Sequence, residues 1–113
     1  MNRRYRLTNS SDFKRVRHSG QSFAHPLVLL IVSENQRDHA RFGFTAGKSV
    51  GNAVQRNRAK RRLREAFRIV HPRIVPGWDI VAIARPALLN ASWDDLQQVI
   101  LSKLDQAGLI DAG

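Results

Sequence analysis

The sequence contains no cysteine. Disulfides and thiolate metal sites are therefore excluded, and the expected compartment is the cytoplasm. No apolar run approaches the roughly 20 residues needed to cross a bilayer. The opening Met1-Asn2-Arg3-Arg4-Tyr5-Arg6 is basic but has no apolar segment behind it, so it does not read as a secretory signal. The histidines, His18, His25, His39 and His71, stand apart from one another, and none pair at the spacing of a helical zinc site. Acids are sparse and scattered. None occurs between Ala40 and Arg64, and the adjacent pair Asp94-Asp95 is accounted for by a helix N-terminus. Gly47-Lys48-Ser49 echoes a phosphate-binding loop, but Phe42 stands where that motif needs its first glycine. No catalytic residue set, metal set, internal repeat or small-molecule motif emerges, so an unaided nuclease lacks its carboxylates.

What the chain has in abundance is arginine. Of its 113 residues, 19 are basic, 15 of these are Arg, and the net charge is +10. The length suits one domain, and an apolar share of 42% suits a folded one. A positive field of this size recruits polyanions: nucleic acid first, an anionic membrane surface second. The charge concentrates between Asn52 and Arg68, where seven residues are Lys or Arg and only Glu65 opposes them. At 100° per residue, Ala59, Leu63, Ala66, Phe67 and Val70 fall on one arc, which predicts an amphipathic helix pinned to a core. Lys60, Arg61, Arg64 and Arg68 project together from a neighbouring face with Asn57. Arg58 and Arg62 carry charge round the far side, and Arg56 lies at the edge of the apolar stripe. Such like-charge crowding costs stability that a bound polyanion would relieve. A merely solvated face normally mixes signs, and planar guanidinium groups suit phosphates and stack on bases.

The remaining elements follow in order. Residues 1–7 form a basic arm. Thr8, Asn9 and Ser10 offer caps for a helix through Ser11–Arg17 that Gly20 ends. A short strand at Ser22–Ala24 precedes an apolar strand, Pro26–Ser33. After a polar turn, Ala40–Ala46 alternates and is expected to close an antiparallel hairpin with it. The basic helix is expected to stop before Pro72, and Trp78–Ala84 is expected to run parallel to one earlier strand, because a whole helix intervenes. Ser92 caps a last helix with the stripe Trp93, Leu96, Ile100, Leu101 and Leu104. Trp78, Trp93, Phe42, Phe44 and Phe67 are expected in the core, with Phe13 divided between core and ligand contact. The expectation is a single domain over 1–113, an α/β two-layer sandwich ordered helix-strands-helix-strand-helix, with 106–113 as a flexible tail.

At the basic helix, Lys48-Ser49-Val50-Gly51-Asn52-Ala53-Val54 and Arg56-Asn57-Arg58-Ala59-Lys60-Arg61 together resemble the arginine-rich signature of the bacterial ribonuclease P protein family. The similarity extends to Arg6-Leu7, Asp12-Phe13, Gly20 and the strand from Ile80 to Arg85 running into Pro86, covering about residues 4–105. The resemblance implies a ribosomal-protein-S5-domain-2-like sandwich with a left-handed βαβ crossover, against the general right-handed rule. It implies an accessory subunit of a ribozyme that removes the 5′ leader of precursor tRNA, with catalysis and Mg2+ residing mainly in the catalytic RNA. RNA contact would fall to Lys48, Asn52, Arg56, Asn57, Arg58, Lys60, Arg61, Arg62, Arg64 and Arg68, and leader contact to Phe13 and Arg17. Family members often carry an aromatic where Arg17 stands, so the leader would meet a guanidinium there. A ribosomal or chaperone-like RNA-binding protein without a role in cleavage would share the charge and the sandwich.

Overall fold

A computed structural model describes residues 2–111. Helix α1 (Ser10–Ser19) begins where the Asn9 side chain accepts the Ser11 N–H and ends where the Gly20 N–H returns to Val16 O at 2.8 Å. Strands β1 (Gln21–Ala24), β2 (Val28–Glu34) and β3 (Arg41–Ala46) follow, then α2 (Ala53–Val70), β4 (Trp78–Ala84) and α3 (Trp93–Gln106). Short 3-10 turns lie at Lys48–Val50 and Pro86–Asn90.

The strands form one sheet in the order β1-β2-β4-β3. This corrects the expected hairpin: β3 does not pair with β2. β4 inserts between them, antiparallel to β2 (Ile31↔Val81) and parallel to β3 (Gly43↔Val81). The parallel relation expected of β4 is present, bridged by α2. Burial explains the order. β4 is covered along nearly its whole length, as a central strand must be, whereas β3 carries the half-exposed Thr45 at an edge.

The two faces of the sheet are covered differently. Val28, Leu30, Val32, Phe42, Ile80, Ala82 and Ala84 meet Ala59, Leu63, Ala66, Phe67 and Val70 of α2 and Leu96, Ile100 and Leu104 of α3 in the main core. All five α2 positions expected to be buried are buried. Each large apolar side chain fully withdrawn here contributes about 1.5–3 kcal/mol. On the opposite face α1 lays Val16 and Phe13 over Ile31, Val81, Leu29, Ile83 and Leu7. The α/β class thus stands, but α1 lies on the side of the sheet away from the basic helix, so helices cover both faces and not one as the two-layer expectation had it. Trp93 departs from expectation: it opens α3 and is 37% exposed.

Both chain ends are tied down as far as they are described. Arg3–Tyr5 forms a 3-10 turn and the Leu7 N–H donates to Phe42 O at 2.7 Å. Residues 106–111 of the expected tail lie against the rest of the fold. Gly108 reverses the chain at φ 77, Leu109 is 1% exposed, and the Val75 N–H donates to Leu109 O at 2.9 Å. Leu109 is apolar and lands on the α3 side of the core, which is what docks it. Residues 1, 112 and 113 of the expected arm and tail lie outside the described residues.

Candidate nucleic-acid interface

The approach to α2 is rigidly specified. Val50 is buried and anchors the turn carrying the exposed Lys48. Gly51 then takes φ 142, a value that favours glycine, and a Cβ there would collide with the Gln55 carboxamide. That carboxamide is engaged in a capping box: Gln55 Oε1 accepts the Asn52 N–H and Asn52 Oδ1 accepts the Gln55 N–H, both at 2.9 Å. Asn52, expected to touch RNA, therefore spends its side-chain oxygen on starting the helix.

The buried stripe sets which cations face water. Asn57, Lys60, Arg61 and Arg64 line one concavity of about 400 Å³ together with Val54. Val54 is 72% exposed, an apolar side chain that the charge pattern did not single out. Arg64 reaches this concavity, while its Nε is covered by protein and makes no hydrogen bond among the described residues. Arg68 lies on the same arc but is shared with Glu65, its Nη2 reaching Oε1 at 2.5 Å. The hydrogen bond from Arg68 holds the Glu65 carboxyl below the usual carboxylate range. Lys48 and Arg58 are exposed and Arg56 is half-buried.

Arg62, expected to contact RNA, is engaged within the fold. Its guanidinium reaches across to the Pro86–Asn90 turn, donating from Nη1 to Leu88 O at 2.6 Å and from Nη2 to Ala91 O at 2.8 Å. It holds the connection between β4 and α3 against α2, so its fork belongs to the fold. The adjacent Arg61, one helical step round, lines the open concavity instead.

The α1 side of the sheet holds a second polar assembly that sequence reading missed. Asp79 is fully buried in β4. Arg41 Nε and Nη2 donate to its two oxygens at 2.9 and 2.8 Å, Asn35 Nδ2 donates at 2.9 Å, and Arg15 of α1 donates to Oδ2 as well. Burial pushes the Asp79 pKa up, but the hydrogen bonds from Arg41, Asn35 and Arg15 outweigh it and leave the carboxyl below its ordinary range. Asp12 lies 3.7 Å from both Arg15 and Arg41. The usable signal was one carboxylate inside an otherwise apolar strand, which demands cationic partners. Of the expected leader residues, Arg17 is exposed on α1. Phe13 is half-buried, its ring so close over Gly43 that a Cβ there would lie 2.5 Å from Cζ. The structure brings these two together one turn apart, but on the face opposite α2.

Elsewhere, His71 packs edge-on to Tyr5 and Phe42, and burial followed by the nearby His39 lowers its pKa. Among the described residues, no three His, Asp or Glu side chains are grouped so as to hold a metal ion, and no helix is long and apolar enough to cross a membrane.

The chain matches the Ribonuclease P family over residues 1–108. It is 43% identical to the ribonuclease P protein component of Herpetosiphon aurantiacus, over 96% of this chain and 89% of that one. It is also 43% identical to the component from a Roseiflexus species, over 99% and 93%. Among solved structures, the RNase P protein of Staphylococcus aureus superposes with a TM-score of 0.83 at 31% identity, covering 95% of this chain and 98% of that one. The Thermotoga maritima protein gives 0.80 at 28%, covering 89% and 96%.

Proposed function

The chain belongs to the ribonuclease P protein family and serves as the accessory protein subunit of that tRNA 5′-processing enzyme; from that premise we propose how its surfaces divide the work. The catalytic RNA is gripped by the α2 arc of Asn57, Lys60, Arg61 and Arg64, with Lys48 at its N-terminal end and Arg58 beside it. One observation carries this reading: a buried apolar stripe turns these cations outward on an arc where, apart from the Arg68-paired Glu65, no acid stands. Their charge neutralises closely spaced phosphates of the folded RNA, releasing counterions as it does so. The side chains present do not fit Mg2+. No acidic cluster forms among the described residues, and Asp12 and Asp79 are both held by arginines. We place the Mg2+ of the reaction with the RNA subunit and propose no chemical step for this chain.

Precursor tRNA is proposed to lay its single-stranded leader along α1, where the Arg17 guanidinium stacks on bases or pairs with phosphates and the open edge of Phe13 adds apolar contact. The working compartment is the cytoplasm. The experiment compares precursor tRNA cleavage by the chain alone, by the RNA subunit alone, and by both at limiting Mg2+. Cleavage is expected to be absent with the chain alone and faster with both than with RNA alone. Cleavage by RNA-free protein overturns the division of labour. Binding without any stimulation favours a chaperone-like role.

A further inference from the structure

We propose that the open edge of β1, with the groove beside it on α3, receives an extended lysine- or arginine-bearing segment of a partner protein as an added strand of the sheet. The two edges of the sheet differ. β3 is met by the N-terminal segment, where the Leu7 N–H donates to Phe42 O. β1 forms the other edge and has only β2 beside it. Hydrogen-bonded pairs alternate along an antiparallel ladder. His25 and Val28 exchange both backbone bonds, at 3.0 and 3.2 Å, so Phe23 and Gln21 also turn their backbone groups inward to β2. Ser22 and Ala24 then turn theirs outward. Both residues are exposed, and neither has a backbone partner on that side among the described residues. Free N–H and C=O groups in a row are what an added strand pairs with.

So short an edge, by itself, is only a blunted one. The groove distinguishes it. Just past Ala24 the chain enters a groove of about 690 Å³, lined by His25, Leu27 and Ala91 and by Asp95, Val99 and Lys103 of α3. The three α3 residues recur every four positions and so share one flank of the helix. His25 Nδ1 accepts the Leu27 N–H at 3.0 Å, which puts the ring proton on Nε2 as a donor for an incoming carbonyl. The Asp95 N–H is used by Ser92 Oγ, but its carboxylate has no partner among the described residues. Apolar walls beside a lone carboxylate suit the stem and the head of a lysine or arginine. Charge argues against nucleic acid here. Residues 86–113 hold four acids against the single base Lys103, in a chain of net charge +10. Position agrees: α2 packs over β3 and β4 whereas α3 reaches β1, so the groove lies at the sheet edge opposite the basic helix. The inference is therefore independent of which RNA the basic helix grips.

The test uses the full, isotope-labelled chain and two short capped peptides, one alternating threonine with lysine, the other threonine with glutamate. The lysine peptide is expected to shift the amide resonances of Ser22, Ala24 and His25 and those of α3 from Asp95 to Lys103, and to slow hydrogen exchange at the Ser22 and Ala24 N–H groups. The glutamate peptide, attracted by the net charge of the chain, should shift α2 instead. Asp95→Lys should weaken the lysine peptide about fivefold and admit the glutamate peptide to the groove. Ala24→Pro, tolerated where the N–H points out of the sheet, should weaken the lysine peptide about tenfold while melting near the parent. A second reading needs no variant: N-methylating the lysine peptide at every threonine or at every lysine should abolish binding in one case and spare it in the other, because only alternate residues face β1. Both variants should stimulate cleavage with ribonuclease P RNA as the parent does. Unshifted β1 and α3 amides, or equal binding by the two methylated peptides, overturn the proposal. So does a short oligouridylate that shifts the same resonances, or a loss of stimulation in variants that melt with the parent, since either gives this edge to RNA. Self-association of the chain that shifts these resonances without peptide gives it to a second copy and overturns the partner assignment.

Discussion

Arg62→Ala separates a folding arginine from a binding one. In the folded chain the Arg62 fork spans two carbonyls, Leu88 O at 2.6 Å and Ala91 O at 2.8 Å. Charge-assisted bonds of this kind are worth about 1.5–3 kcal/mol each when a buried acceptor is left empty. Both acceptors here keep some compensation. Leu88 O still accepts the Ala91 N–H at 3.2 Å, and Ala91 is half-exposed, so water replaces part of the loss. The net cost is therefore about 2–4 kcal/mol. At about 4 °C per kcal/mol for a domain of this size, the melting temperature should fall by about 8–16 °C. Arg62→Lys should recover little, because one ammonium on a flexible stem does not bridge two carbonyls. RNA affinity, measured well below the transition, should stay within about twofold of the parent. Arg61→Ala should do the reverse: unchanged melting, and a loss of about 1–3 kcal/mol in RNA binding. Differential scanning calorimetry and fluorescence titration on the pair decide the matter. If Arg62→Ala melts with the parent and loses as much RNA affinity as Arg61→Ala, the fork is not holding the Pro86–Asn90 turn and the reasoning fails.

Three further outcomes are expected. Asp79→Asn, which strips the countercharge from Arg41 and Arg15, should destabilise the fold by about 3–5 kcal/mol at neutral pH. Because the folded Asp79 pKa lies below its ordinary value of about 4, its contribution is complete above that value and lost as pH falls through the folded one. Denaturant melts from about pH 5 downward should thus steepen for the parent relative to the variant, and parallel curves would contradict this. Gly51→Ala should cost about 1–3 kcal/mol, since alanine is strained at φ 142 and its Cβ displaces Gln55 from the cap; an unshifted melting curve would refute it. With about five cations engaged, log affinity for the RNA subunit should fall against log salt with a slope of about −3 to −5, and a flat response would reduce the basic arc to a solvated surface.

How much of this was legible beforehand depends on how far apart the deciding residues lie. α2 was readable because its signal is local. A 3.6-residue period in Ala59, Leu63, Ala66, Phe67 and Val70 states which side is buried, and hence that Asn57, Lys60, Arg61 and Arg64 face outward. The Asn9 and Ser92 caps were equally local, each completed within three residues. The sheet order was not local. Alternation in Arg41–Ala46 says that one side of a strand is apolar, but not which strand lies beside it. The choice of β4 over β2 as its neighbour rests on which strand is buried from both sides.

The same distinction runs through the site. By itself the sequence determined the family signature, the density of arginine and the helix that displays it, since charge and helical period need no partner to be expressed. Only the tertiary structure decided what each arginine does. Arg61 and Arg62 are neighbours of one type, yet the turn 26 residues further on captures one and leaves the other lining an open concavity. Arg15 and Arg41 become ligands of a carboxylate that lies 64 and 38 residues away. Val54 stands 72% exposed on the first turn of α2. A side chain's role is set by whichever acceptor, carbonyl or empty space the fold brings within hydrogen-bonding distance, and that is a property of long-range packing.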